Sequence, residues 1–161
     1  MKLARRITAL IVLPAAFAGA ALVASATPSS AAVSTTTMAS QVISLTNAQR
    51  AKHGCRPLAT NRALNASALA HSRDMVSRNY FSHVSPRGST FVTRARAAGY
   101  QHAMAENIAW GYRTPAQVVA AWMKSPGHRK NILNCGARSV GVGVWIKSNG
   151  APYWTQVFGR A

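Results

Sequence analysis

The spacing of apolar residues predicts helices over most of the chain after residue 37. Between residues 38 and 52 apolar side chains recur every three or four positions, which is typical of a helix with one buried face. The same spacing predicts a second helix over residues 62–78, with His71 and Asp74 near its apolar face. Because Asp74 follows three positions later, we expect His71 to cap locally or to pair with Asp74 rather than to bind a ligand.

Shorter helical segments follow these two. Ser89 is the expected cap of a helix that ends at Gly99. Thr114 is the expected N-cap of the next helix because Pro115 suits a first helical position, and Pro126-Gly127 is expected to end it. One further helical turn is predicted over residues 128–133.

The periodicity changes near the C-terminal end of the chain. Apolar residues at positions 140, 142, 144 and 146 alternate with other residues, which predicts a strand. Ser148-Asn149-Gly150 is a turn signal, and residues 153–158 are predicted to form the returning strand. Helices followed by an antiparallel hairpin indicate an α+β domain in which helices cover the sheet.

Residues 1–32 have the pattern of a secretory signal peptide. Basic residues precede a long apolar run, and cleavage is expected after Ala32, with Ala26 as the alternative position. If it is not cleaved, the run is barely long enough to span a bilayer core of roughly 30 Å. After cleavage we expect a short flexible lead-in over residues 33–40, one domain over residues 41–161, and no transmembrane segment.

The chain is strongly basic. Nineteen Lys and Arg oppose only Asp74 and Glu106, and removal of the predicted signal peptide would leave sixteen basic residues and a net charge of +14. For an exported protein this charge favours anionic cell-envelope polymers or lipids as partners. Because the basic residues are scattered, a solvated surface without a specific partner is the alternative, and specific nucleic-acid binding is not expected. We expect a monomer.

Two cysteines, Cys55 and Cys135, remain after the predicted cleavage. Export to an oxidising compartment favours a single disulfide between them. Such a bridge would close a loop of about eighty residues and stabilise the fold by roughly 4 kcal/mol on the chain-entropy model. Two buried thiols are the alternative; a metal role fits less well, since neither cysteine belongs to a CxxC pair.

Several short segments resemble, in sequence and order, those of bacterial members of the CAP superfamily, which includes cysteine-rich secretory proteins, venom allergens and plant pathogenesis-related proteins. The segments are Phe81-Ser82-His83-Val84-Ser85-Pro86, Ala98-Gly99-Tyr100, Glu106-Asn107-Ile108-Ala109, Ala121-Trp122-Met123, Ser125-Pro126-Gly127-His128-Arg129, Asn131-Ile132-Leu133 and Gly141-Val142-Gly143. The resemblance covers residues 42–159 and implies a three-layer α-β-α sandwich with a central antiparallel sheet.

The resemblance also implies a functional site, because it places His83, Glu106 and His128 in the family's central cleft. Two neutral imidazoles and a carboxylate are sufficient ligands for a divalent cation, with zinc the preferred metal, and they leave a position for water. The compact HExxH spacing is absent, so the metal site is implied by the resemblance alone. The alternative is structural: each of the three side chains could hydrogen-bond a loop, cap a helix or pair with an arginine.

Two differences from the family weaken the expectation of catalysis. Plant relatives carry a second glutamate at the position of Ser125, so Glu106 would have to hold a metal and also act as the base. The usual glycine before Glu106 is Ala105 here, which is costly if the backbone needs a positive φ. Both differences favour a binding site over an enzyme site.

Three functions therefore compete. The first is a secreted, non-catalytic binding module with a cation-binding cleft and a basic surface for the anionic cell envelope. The second is a metal-dependent hydrolase of peptides or cell-wall material, in which His83, Glu106 and His128 hold zinc and activate water. The third, lipid or sterol binding or antimicrobial action, comes only from the resemblance, and no basic amphipathic helix supports it.

The other histidines and the tryptophans have ordinary explanations. His53 lies at a predicted helix end, and His102 lies in a predicted loop close to Glu106, where a place in the cleft is the less favoured alternative. The four tryptophans are expected to pack in the core or on the sheet rather than to form a carbohydrate platform. Trp145, on the glycine-bearing side of its strand, is the one we expect to be exposed.

Overall fold

The structure is a computed structural model that describes residues 34–160. The predicted signal peptide and both of its cleavage positions lie outside the described residues, as do Val33 and Ala161. The described part of the chain contains, in order, α1 (Thr35–Lys52), β1 (Ala59–Thr60), α2 (Arg62–Ser77), α3 (Phe91–Ala97), β2 (Ala103–Trp110), α4 (Pro115–Lys124), α5 (Pro126–Ile132), β3 (Ser139–Ile146) and β4 (Pro152–Gly159). No helix within residues 34–160 is long and apolar enough to cross a membrane.

The four strands form one sheet in the order β1-β3-β4-β2. β3 and β4 form the predicted hairpin, with Ser139 opposite Gly159 and Ile146 opposite Pro152. β2 pairs antiparallel with the other edge of β4, which places Glu106 opposite Val157. The two-residue β1 is parallel to β3. The sheet is therefore antiparallel apart from this short edge strand.

Helices cover both faces of the sheet, and the predicted α+β, α-β-α sandwich is confirmed. Val140, Val142 and Val144 of β3 join the main core cluster, which also contains buried residues of α1, α4 and α5. On the opposite face, Gly141 and Gly143 let the backbone of α2 lie directly on β3, because a Cβ at either position would overlap with that backbone. One face of β3 thus packs side chains, and the other accommodates a helix backbone.

The start of α1 differs from the sequence prediction. The helix begins at Thr35, so the prediction of a flexible lead-in is wrong for residues 35–40. Ser34 caps the helix, since its hydroxyl accepts a hydrogen bond from the Thr37 backbone N–H at 3.1 Å, and Met38 is buried in the core. Serine and threonine favour both caps and irregular segments, so composition alone did not distinguish the two.

Other differences concern the middle of the chain. Strand β2, which carries Glu106, was not predicted. Its residues are buried without interruption from Glu106 to Ala109, so the sequence does not show the alternation of apolar and polar residues that marks a half-exposed strand. α4 ends before Pro126, as predicted. Pro126 also begins α5, so Ser125 is the boundary residue that the two helices share. α3 is capped by Thr90 rather than by Ser89.

The predicted disulfide between Cys55 and Cys135 is confirmed. Beside it, the side chain of Arg50 is fully buried. Its guanidinium donates hydrogen bonds of 2.8 to 3.2 Å to the main-chain carbonyls of Arg56, Ile132, Asn134 and Ala137. Burial lowers the pKa of Arg50, and neighbouring Arg138 adds to this effect. The bridge and the arginine together fasten the end of α1 to the segment after α5.

Candidate functional site

Glu106 lies at the centre of the cleft, in the middle of β2, and is only 5% exposed. Its Oε1 accepts a hydrogen bond from His83 Nδ1 at 2.9 Å. Its Oε2 accepts one from Arg94 Nη2 at 2.7 Å. Both carboxylate oxygens therefore have partners, and a guanidinium compensates the buried charge.

Arg94, on α3, is a site residue that the sequence analysis missed. Besides Glu106 it contacts the carbonyls of Ser89 at 2.7 Å and His83 at 3.0 Å, so it connects the loop before α3 to the carboxylate. Its Nε is buried without a hydrogen-bond partner among residues 34–160. The sequence marks Arg94 only by its position on a predicted helix, and other arginines of the chain also lie on predicted helices.

His71 is a second residue that the structure brings to the site. It is fully buried, with Nε2 at 3.0 Å from the Ser82 carbonyl and 3.9 Å from Glu106 Oε1. The expected pairing with Asp74 is wrong, because that carboxylate accepts a 2.6 Å hydrogen bond from the Tyr80 hydroxyl instead. Burial lowers the pKa of His71, more than the nearby Glu106 carboxylate raises it. Burial and the hydrogen bond to Asp74 raise the pKa of Tyr80.

His128 lies on α5 and is half-buried. Its Nδ1 lies 2.9 Å from the hydroxyl of Ser125, the residue at the position of the second glutamate in plant relatives. Burial lowers the pKa of His128, and the electrostatic interaction with nearby His83 lowers it further. A lowered pKa keeps this imidazole neutral at pH 7, which is the form that binds metals.

A buried network of side-chain amides joins α5 to β2 beneath the cleft. Asn107 Nδ2 donates to the His128 carbonyl at 3.3 Å and to Gln156 Oε1 at 3.2 Å. Asn131 Nδ2 donates to Asn107 Oδ1 at 2.9 Å and to the Glu106 carbonyl at 3.3 Å. Asn107 thus uses both its oxygen and its nitrogen, and the network holds the two sides of the cleft in one arrangement.

The geometry supplies two histidine donors for a cation. His83 and His128 each use Nδ1 for a hydrogen bond, and neither Nε2 has a hydrogen-bond partner within the described residues. Glu106 lies behind His83, with both oxygens engaged. Within residues 34–160 no group of three or more His, Cys, Asp or Glu side chains is arranged to hold a metal ion. The carboxylate is placed to orient the ring of His83.

Three further sequence predictions concern the backbone at Ala105, the position of His102 and the exposure of the tryptophans. Ala105 has no positive φ, since Asn79 is the one non-glycine residue with that conformation in the described chain. His102 is exposed, and its carbonyl accepts a hydrogen bond from the backbone of Arg160. Trp145 is 36% exposed, as expected, but Trp110 is 56% exposed, and the prediction that it is packed is wrong.

Comparison with known proteins agrees with this architecture. Residues 43–158 match the model of the cysteine-rich secretory protein (CAP) family, and the chain belongs to that family. It is 44% identical over 133 residues to the uncharacterized protein YkwD of Bacillus subtilis (strain 168), and this match covers 82% of the chain and 51% of YkwD. It is 39% identical over 124 residues to the uncharacterized membrane protein YlbC of the same organism, covering 76% of this chain and 34% of YlbC. The chain spans about half the length of YkwD and about a third of that of YlbC.

A solved structure shows the same fold. The structure of an extracellular protein containing a SCP domain from Bacillus anthracis str. Ames matches with a TM-score of 0.72 at 33% identity. The match covers 82% of this chain and 45% of that one. The family and the α-β-α architecture therefore rest on both sequence and structure.

Proposed function

We propose that this chain is an extracellular, non-catalytic binding module whose cleft holds a divalent cation, with zinc the preferred metal, between His83 and His128. One observation carries the cation site: hydrogen bonds to Glu106 and Ser125 engage Nδ1 of the two rings and leave both Nε2 atoms available. Neutral imidazole nitrogen is a common zinc ligand. A bound cation would offer its open coordination positions to oxygen atoms of a ligand.

The role of Glu106 in this proposal is to position His83. A carboxylate that accepts a hydrogen bond from the Nδ1–H group of a metal-binding histidine fixes the tautomer and makes Nε2 a better metal ligand. Glu106 is buried and accepts hydrogen bonds from His83 and Arg94, which favours a positioning role over that of a general base. Ser125 supplies no second carboxylate. These observations support binding over hydrolysis.

The extracellular location and the envelope as partner rest on four observations. Residues 1–32 have the pattern of an export signal, and the Cys55–Cys135 bridge suits an oxidising compartment. The similar Bacillus anthracis protein is described as extracellular. The two acidic side chains of the chain both pair with arginines, so the remaining exposed cations are available to attract anionic polymers.

The test of the cation site is a calorimetric titration of the mature chain with zinc at pH 7. We expect one zinc per chain, and we expect His83→Ala/His128→Ala to abolish binding because it removes both donors. The control His53→Ala/His102→Ala removes two exposed histidines outside the cleft and should bind zinc like the parent chain. Zinc binding retained by the cleft variant, or absent from the intact chain, would contradict the proposal.

A further inference from the structure

Three aromatic side chains are exposed beside the cleft. Phe81, Trp110 and Tyr112 are 46%, 56% and 41% exposed. They line one cavity of about 280 Å³, together with polar groups of Ser125 and His128. Single exposed apolar residues are common, but three aromatic residues around one opening mark an interaction site.

The rings are supported by the fold. The ring of Tyr153 lies 6.0 Å from that of Trp110 and 6.4 Å from that of Phe81, measured between centroids. Trp154 donates an indole hydrogen bond of 2.9 Å to the Tyr112 carbonyl and so fixes the loop after β2. A binding surface that is already ordered loses little conformational entropy when a ligand binds.

The chemistry of the cavity suits a sugar ring. A pyranose has C–H faces that pack against aromatic rings and a rim of hydroxyls that need hydrogen-bond partners. The walls provide Trp110 and Phe81 for the first requirement, and Ser125, with His128 when no cation is bound, for the second. A volume of about 280 Å³ lies near the lower end of the roughly 300 to 1,000 Å³ typical of small-molecule pockets. One ring fits this volume better than a lipid chain, and a lipid chain would leave the polar groups without partners.

A basic groove continues from the aromatic cavity. It has a volume of about 720 Å³, shares Tyr112 and Ala121 with the cavity, and is lined by Arg113, Gln117 and Lys124. The only two acidic residues of the chain pair with other arginines, so neither Arg113 nor Lys124 has a carboxylate partner among residues 34–160. Arginine matches the geometry of a carboxylate particularly well.

We propose that the aromatic cavity and the basic groove together bind a carboxylate-bearing glycan chain. One sugar ring stacks on Trp110 in the cavity, and carboxylates of the adjoining sugars pair with Arg113 and Lys124 in the groove. This proposal rests on the proposed function only in placing the chain where it meets envelope polymers. None of these contacts requires a cation in the cleft.

The probe is a hyaluronan hexasaccharide, in which glucuronate alternates with N-acetylglucosamine, compared with neutral chitohexaose of the same length. Binding to the mature chain is measured by calorimetry with a chelator present, so that cleft cations do not contribute. We expect the affinity for hyaluronan to be higher than that for chitohexaose by about tenfold or more. Trp110→Ala should weaken hyaluronan binding by about tenfold or more through loss of stacking. Arg113→Gln/Lys124→Gln should remove the preference for the acidic chain.

Matched controls separate the site from general properties of the surface. Trp145→Ala removes an exposed indole elsewhere, and Lys52→Gln/Arg87→Gln removes two exposed cations outside both cavities; each should bind like the parent chain. No hyaluronan binding, unchanged binding in Trp110→Ala, or equal weakening by the two charge variants would overturn the proposal. Zinc titration of Trp110→Ala, expected to match the parent, keeps this outcome separate from that of the cation site.

Discussion

Charge compensation around one buried carboxylate defines the cleft at the scale of single residues. Burying an unpaired carboxylate would cost several kcal/mol, and Arg94 offsets that cost. His83 contributes a hydrogen bond, and His71 approaches the same oxygen to 3.9 Å. Since Arg94 already supplies one positive charge, a proton on His71 would add a second one in a buried place. The buried position of His71 therefore favours its neutral form.

The lowered pKa of His71 predicts a loss of stability in acid. Its folded pKa lies below the ordinary value of 6.5, so the unfolded chain takes up the proton first. This contribution to the free energy of unfolding is fully present above pH 6.5 and is lost as the pH falls toward the folded pKa. His71→Gln should cost about 1 to 3 kcal/mol at pH 7.5 through the altered bond to Ser82, but should have a shallower pH dependence. Urea unfolding at pH 7.5, 6.5 and 5.5 measures both quantities.

A control separates His71 from the exposed histidines. His102→Gln changes an exposed ring outside the cleft and should follow the parent curve at all three pH values. If the curves of His71→Gln and the parent chain run parallel between pH 7.5 and 5.5, His71 is not the group that destabilises the fold in acid.

Arg50 and Glu106 show what could and could not be predicted for single residues. Glu106 was identifiable because it is one of only two acidic residues and belongs to a segment shared with the family. Arg50 is one of nineteen basic residues, and its helical spacing does not distinguish it from exposed Lys52. Its role arises from carbonyls that the fold assembles from 82 to 87 positions away as well as from nearby Arg56. Arg94 escaped prediction for the same reason.

At the scale of elements, the contact between α2 and β3 depends on two glycines. A Cβ at Gly143 would overlap with the backbone at Ala68 and Leu69. Because a helix backbone cannot move aside as a flexible side chain does, we expect Gly143→Ala to lower the free energy of unfolding by about 3 kcal/mol or more. Chemical denaturation of the variant and the parent measures this difference.

Gly127→Ala is the matched control for this substitution. Gly127 lies on α5, has no positive φ, and has open space where a Cβ would be. Alanine there should leave stability unchanged or raise it by up to about 1 kcal/mol, because it favours the helix. Gly143→Ala with a stability equal to that of Gly127→Ala would show that α2 does not lie on β3 as described.

Elements with two different faces or a specific start were easier to predict than elements that are buried on both faces. The β3–β4 hairpin was predictable because valine and glycine alternate along β3, where the two faces have different neighbours. α4 was predictable because Thr114 and Pro115 form a specific start, confirmed by the capping box with Gln117. β2 has α3 on one side and α5 on the other, so both of its faces are buried and its sequence loses the period of a half-exposed strand.

At the scale of the whole molecule, shared residues connect the three candidate binding regions. His128 belongs both to the cleft and to the aromatic cavity, and Tyr112 belongs both to that cavity and to the basic groove. A polymer that follows this path would meet histidine donors, then aromatic rings, then cations. The sequence indicated the first region by resemblance and the overall charge by composition. It did not indicate the second, since exposure of Trp110 depends on strand pairing and loop placement.

The basic surface should make envelope binding sensitive to salt. Raising the salt from 0.1 M to 1 M shortens the Debye length from about 10 Å to about 3 Å, which screens exposed charges. We expect the mature chain to sediment with teichoic-acid-containing cell walls at 0.1 M NaCl and to be mostly released at 1 M. His83→Ala/His128→Ala should sediment like the parent, because it removes no arginine or lysine. Retention at 1 M salt would show that electrostatic attraction does not dominate, and failure of the cleft variant to sediment at 0.1 M would assign the attachment to the cleft instead.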